Sequence, residues 1–208
     1  AWILDVGGDI KLKASVSKHP EAKALIIFLH GWEGSENSTY VISCGRQLYD
    51  KGCSVARLNF RDHGDTHHLN QGIFHSARTD EVLEGVRQCA AFAGGLPVYL
   101  IGFSLGGNFA LRVVRDAQKQ GGLELAHVFA ISPAIDPDNA SPMVDENPFV
   151  KRYFYKKWST SLRKKQAAFP DDYNFDDLFK IDTVMGITEQ FLPAYTEFQS
   201  VSEYFNAY

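Results

Sequence analysis

The stretch Leu96-Pro97-Val98-Tyr99-Leu100-Ile101-Gly102-Phe103-Ser104-Leu105-Gly106-Gly107 decides the fold. Its first eight residues are an apolar, β-favouring run, as a strand buried on both faces requires. The sequence from Leu105 to about Gln120 has helical apolar spacing, so a strand passes into a helix across a single residue, Ser104. A Gly-x-Ser-x-Gly match alone is cheap, but strand, turn and helix in register are the context in which it carries chemistry. The turn must be very sharp, and residues without side chains on either side keep strand and helix from colliding. A hydroxyl held there points away from the sheet, beside the unpaired N–H groups and positive dipole end of the helix.

Working outward, the same alternation fills the first half of the chain. Ile10–Val16 alternates polar and apolar residues as a half-exposed strand does, and Ala24–His30 is a buried strand ending at Gly31. Tyr40–Lys51 reads as a helix stopped by Gly52, and Cys53–Phe60 as a second buried strand. Ser76–Phe92 reads as a strong helix, Leu96–Phe103 as a third strand, also buried, and Leu125–Ser132 as a fourth strand. Strands alternating with helices of this length imply right-handed crossovers and a mainly parallel sheet covered by helices on both faces. The rhythm then stops. Pro133–Pro148, rich in Pro, Asp and Asn, reads as a long loop, Phe149–Ala168 as a basic, aromatic helix, and Pro170–Tyr208 as aromatic and acidic without strand signals. The expected organisation is an α/β core over 1–132 and a loop and helical cap over 133–208, the cap either covering a site or merely packing on the sheet.

Bulk composition narrows the classes. The formal net charge of −4 offers no basic surplus for nucleic acid or for an acidic membrane, so neither is an expected partner, and no apolar run approaches the length of a transmembrane segment. Three cysteines, Cys44, Cys53 and Cys89, fit small core residues in a reducing compartment, so a cytoplasmic location is expected.

A second motif, His30-Gly31-Trp32-Glu33-Gly34-Ser35, follows the first buried strand. Its glycines let backbone approach a substrate carbonyl, which makes the N–H groups of Trp32 and Leu105 the expected oxyanion-hole pair. His30, Gly31 and Phe103 border these turns and are the expected substrate contacts; the His30 ring reads as a structural hydrogen-bonder rather than a base. Asp62-His63-Gly64-Asp65-Thr66-His67-His68 offers metal-ligand types, so a metal-dependent hydrolase at His63, His67 and His68 stands as an alternative to a simple polar turn. Lys164 and Lys165 read as part of a solvated basic face, and the aromatics of Phe149–Trp158 as either an acyl pocket or core.

The spacing of HGWEGS, NFRDHGDT, FHSARTDEV and GFSLGGN resembles the α/β-hydrolase superfamily, and within it the YheT-like branch of predicted esterases, related to the ABHD-type hydrolases. The resemblance runs from Trp2 to Tyr208. It implies ester or acyl-transfer chemistry on a small-molecule acyl ester through a Ser–acid–His triad, with no cofactor. It makes Ser104 the nucleophile and the Trp32 and Leu105 amides its oxyanion donors. In such folds acid and base follow the nucleophile in the chain. The only histidine after Ser104 is His127, inside a strand, and Asp136, just past the fourth strand, is the one acid in a plausible position; it also reads as a turn residue. The triad histidine and acid are therefore expected beyond Tyr208, with a sheet missing its last strands. A non-catalytic binding module on the same fold is the remaining alternative.

Overall fold

A computed structural model describes residues 1–207. They form two compact units: one of residues 1–70 and 78–134, the other of residues 71–77 and 135–207.

The first unit is built on six strands: β1 (Trp2–Asp5), β2 (Lys11–Ser17), β3 (Ala24–Leu29), β4 (Cys53–Asn59), β5 (Val98–Phe103) and β6 (His127–Ile131). Their order is β1-β2-β4-β3-β5-β6. β1, β2 and β4 pair antiparallel, while β4, β3, β5 and β6 run parallel. Helices α1 (Thr39–Asp50), α2 (Thr79–Ala91) and α3 (Leu105–Gln120) supply the crossovers. Every residue of β3 is buried because the strand is central and covered from both sides. Val41 of α1 packs with Ile26, Phe28 and Val55 on one face. On the other, Gly85 of α2 lies so close to Leu12 and Leu58 that a Cβ would stand 3.1 Å from each. A fully buried Leu or Phe in such a layer contributes roughly 1.5–3 kcal/mol. The result is the α/β-hydrolase arrangement with a mainly parallel sheet.

Two departures from the sequence reading concern the sheet and its helices. β1 has no signal strong enough to be read in advance. α2 begins at Thr79 rather than Ser76, because the Ser76 N–H donates to the Tyr204 hydroxyl at 2.8 Å instead of entering a helix. β6, the expected fourth strand, lies at the edge among the described residues: it alternates between exposed and half-buried, with Phe129 and Ile131 exposed, because it pairs only with β5.

The second unit is helical: α4 (Pro137–Glu146), α5 (Pro148–Ala168), a short 3-10 turn (Leu178–Lys180), α6 (Val184–Tyr195) and α7 (Val201–Asn206). α4 replaces the loop expected over Pro133–Pro148. Asp136-Pro137 is an N-cap followed by proline at the first helical position, and Asn147-Pro148 repeats the device for α5. Aromatic rings fill the core, with Trp158 and Phe191 at 5.5 Å and Phe175 and Tyr195 at 4.7 Å between centroids. Asp145 of α4 accepts from the Val184 and Met185 N–H groups, both at 2.8 Å, and so caps α6. Lys165 corrects the expectation of a solvated face: it is almost fully buried, its ammonium donating to the Gly72 carbonyl at 3.1 Å and lying over the Phe169 ring. No helix among the described residues is long and apolar enough to cross a membrane.

Candidate active site at the β5–α3 turn

Ser104 is the single residue between β5 and α3, with φ 51° and ψ −117°. That conformation is strained for a residue with a side chain, by roughly 1–3 kcal/mol, and persists only where its surroundings impose it. They do so through backbone. The Ser104 N–H donates to the Ile131 carbonyl at 2.9 Å, and the Ser104 carbonyl accepts from Gly107 at 2.9 Å and Asn108 at 3.0 Å. The Asn108 amide side chain donates to the Ala134 carbonyl at 2.8 Å, tying α3 to the segment after β6.

The glycines are required by approach distance. A Cβ on Gly102 would lie 2.1 Å from the Gly106 carbonyl oxygen, and one on Gly106 would lie 2.4 Å from the carbonyl oxygens of both Leu29 and His30. All are backbone atoms that cannot step aside. Strand and helix therefore close on each other, and the Ser104 side chain is left exposed at the turn.

The HGWEG loop meets this turn directly. A Cβ on Gly31 would stand 3.4 Å from the Ser104 Cβ and 3.4 Å from the Phe103 carbonyl oxygen. Gly31 to Gly34 form a turn closed by a 2.9 Å backbone bond, with Glu33 in the left-handed region at φ 54°. Trp32 thus lies within the turn that abuts Ser104. Leu105 is the first residue of α3, so its N–H has no acceptor inside the helix. Tyr40 of α1 holds the loop: its hydroxyl accepts from the Gly31 N–H at 2.9 Å, and its ring packs edge-on against Phe103 at 4.8 Å. Sequence reasoning passed over Tyr40 because nothing in its own neighbourhood distinguishes it from a helix surface residue.

The histidines near this end of the sheet are occupied. His30 Nδ1 donates to the Gly31 carbonyl at 2.8 Å, and its Nε2 accepts from the Phe60 N–H at 3.2 Å, so the ring joins the ends of β3 and β4. Burial, reinforced by neighbouring His63, holds its pKa well below the ordinary value. His63 Nδ1 bonds the Arg61 carbonyl at 2.7 Å, and burial pushes its pKa down to about 4. Arg61 itself forms a buried ion pair with Glu81 of α2 at 2.5 Å. His63 and His67 are buried while His68 is exposed. Among the described residues no three His, Cys, Asp or Glu side chains are grouped to hold an ion, so this placement lends the metal alternative no support. His127 opens β6 opposite Tyr99, whereas Phe103 pairs with Ile131. Four residues of strand, about 13 Å, separate it from the end where Ser104 emerges.

Asp136 belongs to the helical unit. One carboxylate oxygen accepts from the Asn139 N–H at 3.1 Å and the other from the Asn139 side-chain amide at 2.7 Å. Those two bonds hold its pKa below the usual carboxylate value.

Residues 20–201 match the profile of the serine aminopeptidase S33 family, whereas no curated protein sequence matches the chain significantly. Among solved structures, Est1E from Butyrivibrio proteoclasticus is similar over 68% of this chain and 57% of its own, with 22% identity and a TM-score of 0.55. An esterase of Pyrococcus furiosus is similar over 74% of this chain and 59% of its own, at 22% identity and a TM-score of 0.55. Brefeldin A esterase, described as a bacterial homologue of human hormone-sensitive lipase, matches over 67% of this chain and 40% of its own, at 18% identity and a TM-score of 0.54. The chain thus spans less than two thirds of each of these structures, and at such identities the likeness concerns the fold. With the family profile covering most of its length, the chain belongs to the serine aminopeptidase S33 family of the α/β-hydrolase superfamily.

Proposed function

We propose that this chain carries the nucleophile and oxyanion hole of a serine esterase or acyltransferase. The observation that carries the reading is Ser104: an exposed hydroxyl on a left-handed turn at the head of α3, against the glycine loop after β3. In the proposed reaction the Ser104 oxygen attacks an acyl carbonyl and its proton passes to a base. The tetrahedral oxyanion is held by the Trp32 and Leu105 amides, each contributing about 3–4 kcal/mol in sites of this kind. Collapse breaks the acyl–oxygen bond, the leaving alcohol takes the proton, and water or a second alcohol then removes the acyl group from Ser104. Gly31 and Phe103 border the acyl position, and His30 acts by fixing the loop rather than by moving protons.

Base and acid remain to be supplied. His30 and His63 spend ring nitrogens on backbone groups, and His127 stands at the far end of its strand. Asp136 spends both oxygens on Asn139, which suits a helix cap rather than a histidine partner. We place the triad histidine and acid in protein outside residues 1–208. Within the superfamily we propose the YheT-like, ABHD-type branch, which the HGWEGS and GFSLGGN pair supports. The family profile favours a second reading, cleavage of an N-terminal peptide bond at the same serine.

A fluorophosphonate probe should label the full-length protein at Ser104, and Ser104→Ala should abolish labelling while leaving the fold intact. Equal labelling of the variant refutes the assignment; absence of labelling in wild type returns the chain to the non-catalytic alternative. Turnover of nitrophenyl acyl esters but not of aminoacyl nitroanilides separates the esterase from the aminopeptidase.

A further inference from the structure

The strongest charge segregation in the molecule lies on one helix. α5 holds seven of the 21 Lys and Arg residues and none of the 25 Asp and Glu, in a chain whose net charge is −4. The helix is two-faced. Trp158, Leu162 and Lys165, at spacings of four and three, are buried. Phe149 and Tyr153, also four apart, form the opposite face and are 87% and 55% exposed, with Val150 beside them. Arg152, Lys156, Lys157, Arg163 and Lys164 are exposed around and beyond these side chains. The Lys157 ammonium lies 5.8 Å from the centre of the Tyr153 ring, so cation and aromatic share one surface. Met143 of α4 is a further exposed apolar residue on the same unit, and Glu146 is the exposed acid that precedes the patch.

A large apolar ring left in water at a helix start, flanked by cations and by no acid within the helix, is the composition of an element that lies in a bilayer interface. Apolar tips enter the boundary between headgroups and acyl chains, while lysine and arginine reach anionic headgroups along their flexible stems. Charge complementarity selects the anionic surface over a neutral one. We propose that the exposed face of α5, led by Phe149, Val150 and Tyr153 and ringed by Arg152, Lys156 and Lys157, docks this protein reversibly on anionic lipid membranes. The inference is independent of the chemistry at Ser104.

The test is sedimentation of the full-length protein with vesicles of phosphatidylcholine alone or with about one third phosphatidylserine. Wild type should bind only the anionic vesicles and should release as salt is raised to about 1 M. Lys156→Glu with Lys157→Glu should weaken binding about tenfold or more, and Phe149→Ser with Tyr153→Ser should weaken it comparably. Both pairs replace exposed side chains, so their melting temperatures should match wild type, and Ser104→Ala should bind as wild type does. Equal binding to neutral vesicles, no binding by wild type, or wild-type binding by both variant pairs overturns the proposal. A shift in oligomeric state caused by Phe149→Ser without vesicle binding assigns the face to a second protein copy instead. Retention on single-stranded RNA without vesicle binding assigns it to nucleic acid, and either result overturns the lipid assignment.

Discussion

The turn at Ser104 and the helical unit of α4 to α7 reach order by opposite means. At the turn, backbone meets backbone: Gly102 faces Gly106, and Gly106 faces the carbonyls of Leu29 and His30, with no side chain between. In the helical unit, order comes from large rings such as Trp158, Phe175 and Phe191 packed against one another. Contacts between backbones cannot be adjusted by rotamers, whereas contacts between rings can relax in part. The first region should therefore tolerate no added atom, and the second should answer to removed volume in proportion.

The largest effect expected from that contrast is at Gly106. Adding one methyl group, Gly106→Ala, should cost about 4 kcal/mol or prevent folding, because both obstructing atoms are carbonyl oxygens. Urea denaturation measures it, and a loss under about 1 kcal/mol would break the comparison. In the helical unit, Phe175→Ala should cost about 3–4 kcal/mol and Phe175→Leu about half as much. Limited proteolysis should find the Ala variant opened between residues 135 and 207, and equal costs for both substitutions would contradict a graded response.

The buried histidines beside the turn sharpen the contrast through pH. Folded His63 titrates at about 4 and the unfolded side chain near 6.5, so between those values the unfolded chain binds the extra proton. Stability is then full above pH 6.5 and falls as pH drops toward 4, by up to about 3 kcal/mol for this group. His30, shifted the same way, adds to the loss. Urea midpoints taken at intervals from pH 7 to pH 4 should decline, and His63→Gln should flatten the slope. The smallest effect is at Asp136. Asp136→Ala removes the cap of α4 and should lower the urea midpoint only slightly, without changing fluorophosphonate labelling of Ser104. Lost labelling with α4 intact would return Asp136 to the triad.

Most of the first unit was legible because strand and helix periods there are driven by burial on known faces. β3, β4, β5 and α3 each fell within two residues of their reading, and the Ser104 turn was visible because its glycines have a steric purpose. β6 was legible as a strand, but its degree of burial was not, because edge or centre depends on neighbours rather than on its own residues. α4 was hidden by Pro and Asp, which look like loop formers until their order, cap then proline, is weighed. Lys165 could not be foreseen, since burial of an ammonium requires a carbonyl from residue 72, far away in sequence. Tyr40 and Asn108 were missed for the same reason: their partners are backbone groups brought near only by the completed fold.

Gln71–Ala77 has a consequence of its own. This heptapeptide interrupts the first unit in sequence but belongs to the helical one, where Lys165 donates to Gly72, Tyr173 to Gln71, and Ser76 to Tyr204. Cutting the chain before Ile135 would strip the downstream fragment of those partners, leaving a cation without its carbonyl, so a severed helical piece should not hold its shape alone. During synthesis the heptapeptide leaves the ribosome some ninety residues ahead of Lys165 and must wait, unfastened, until the later helices arrive to claim it.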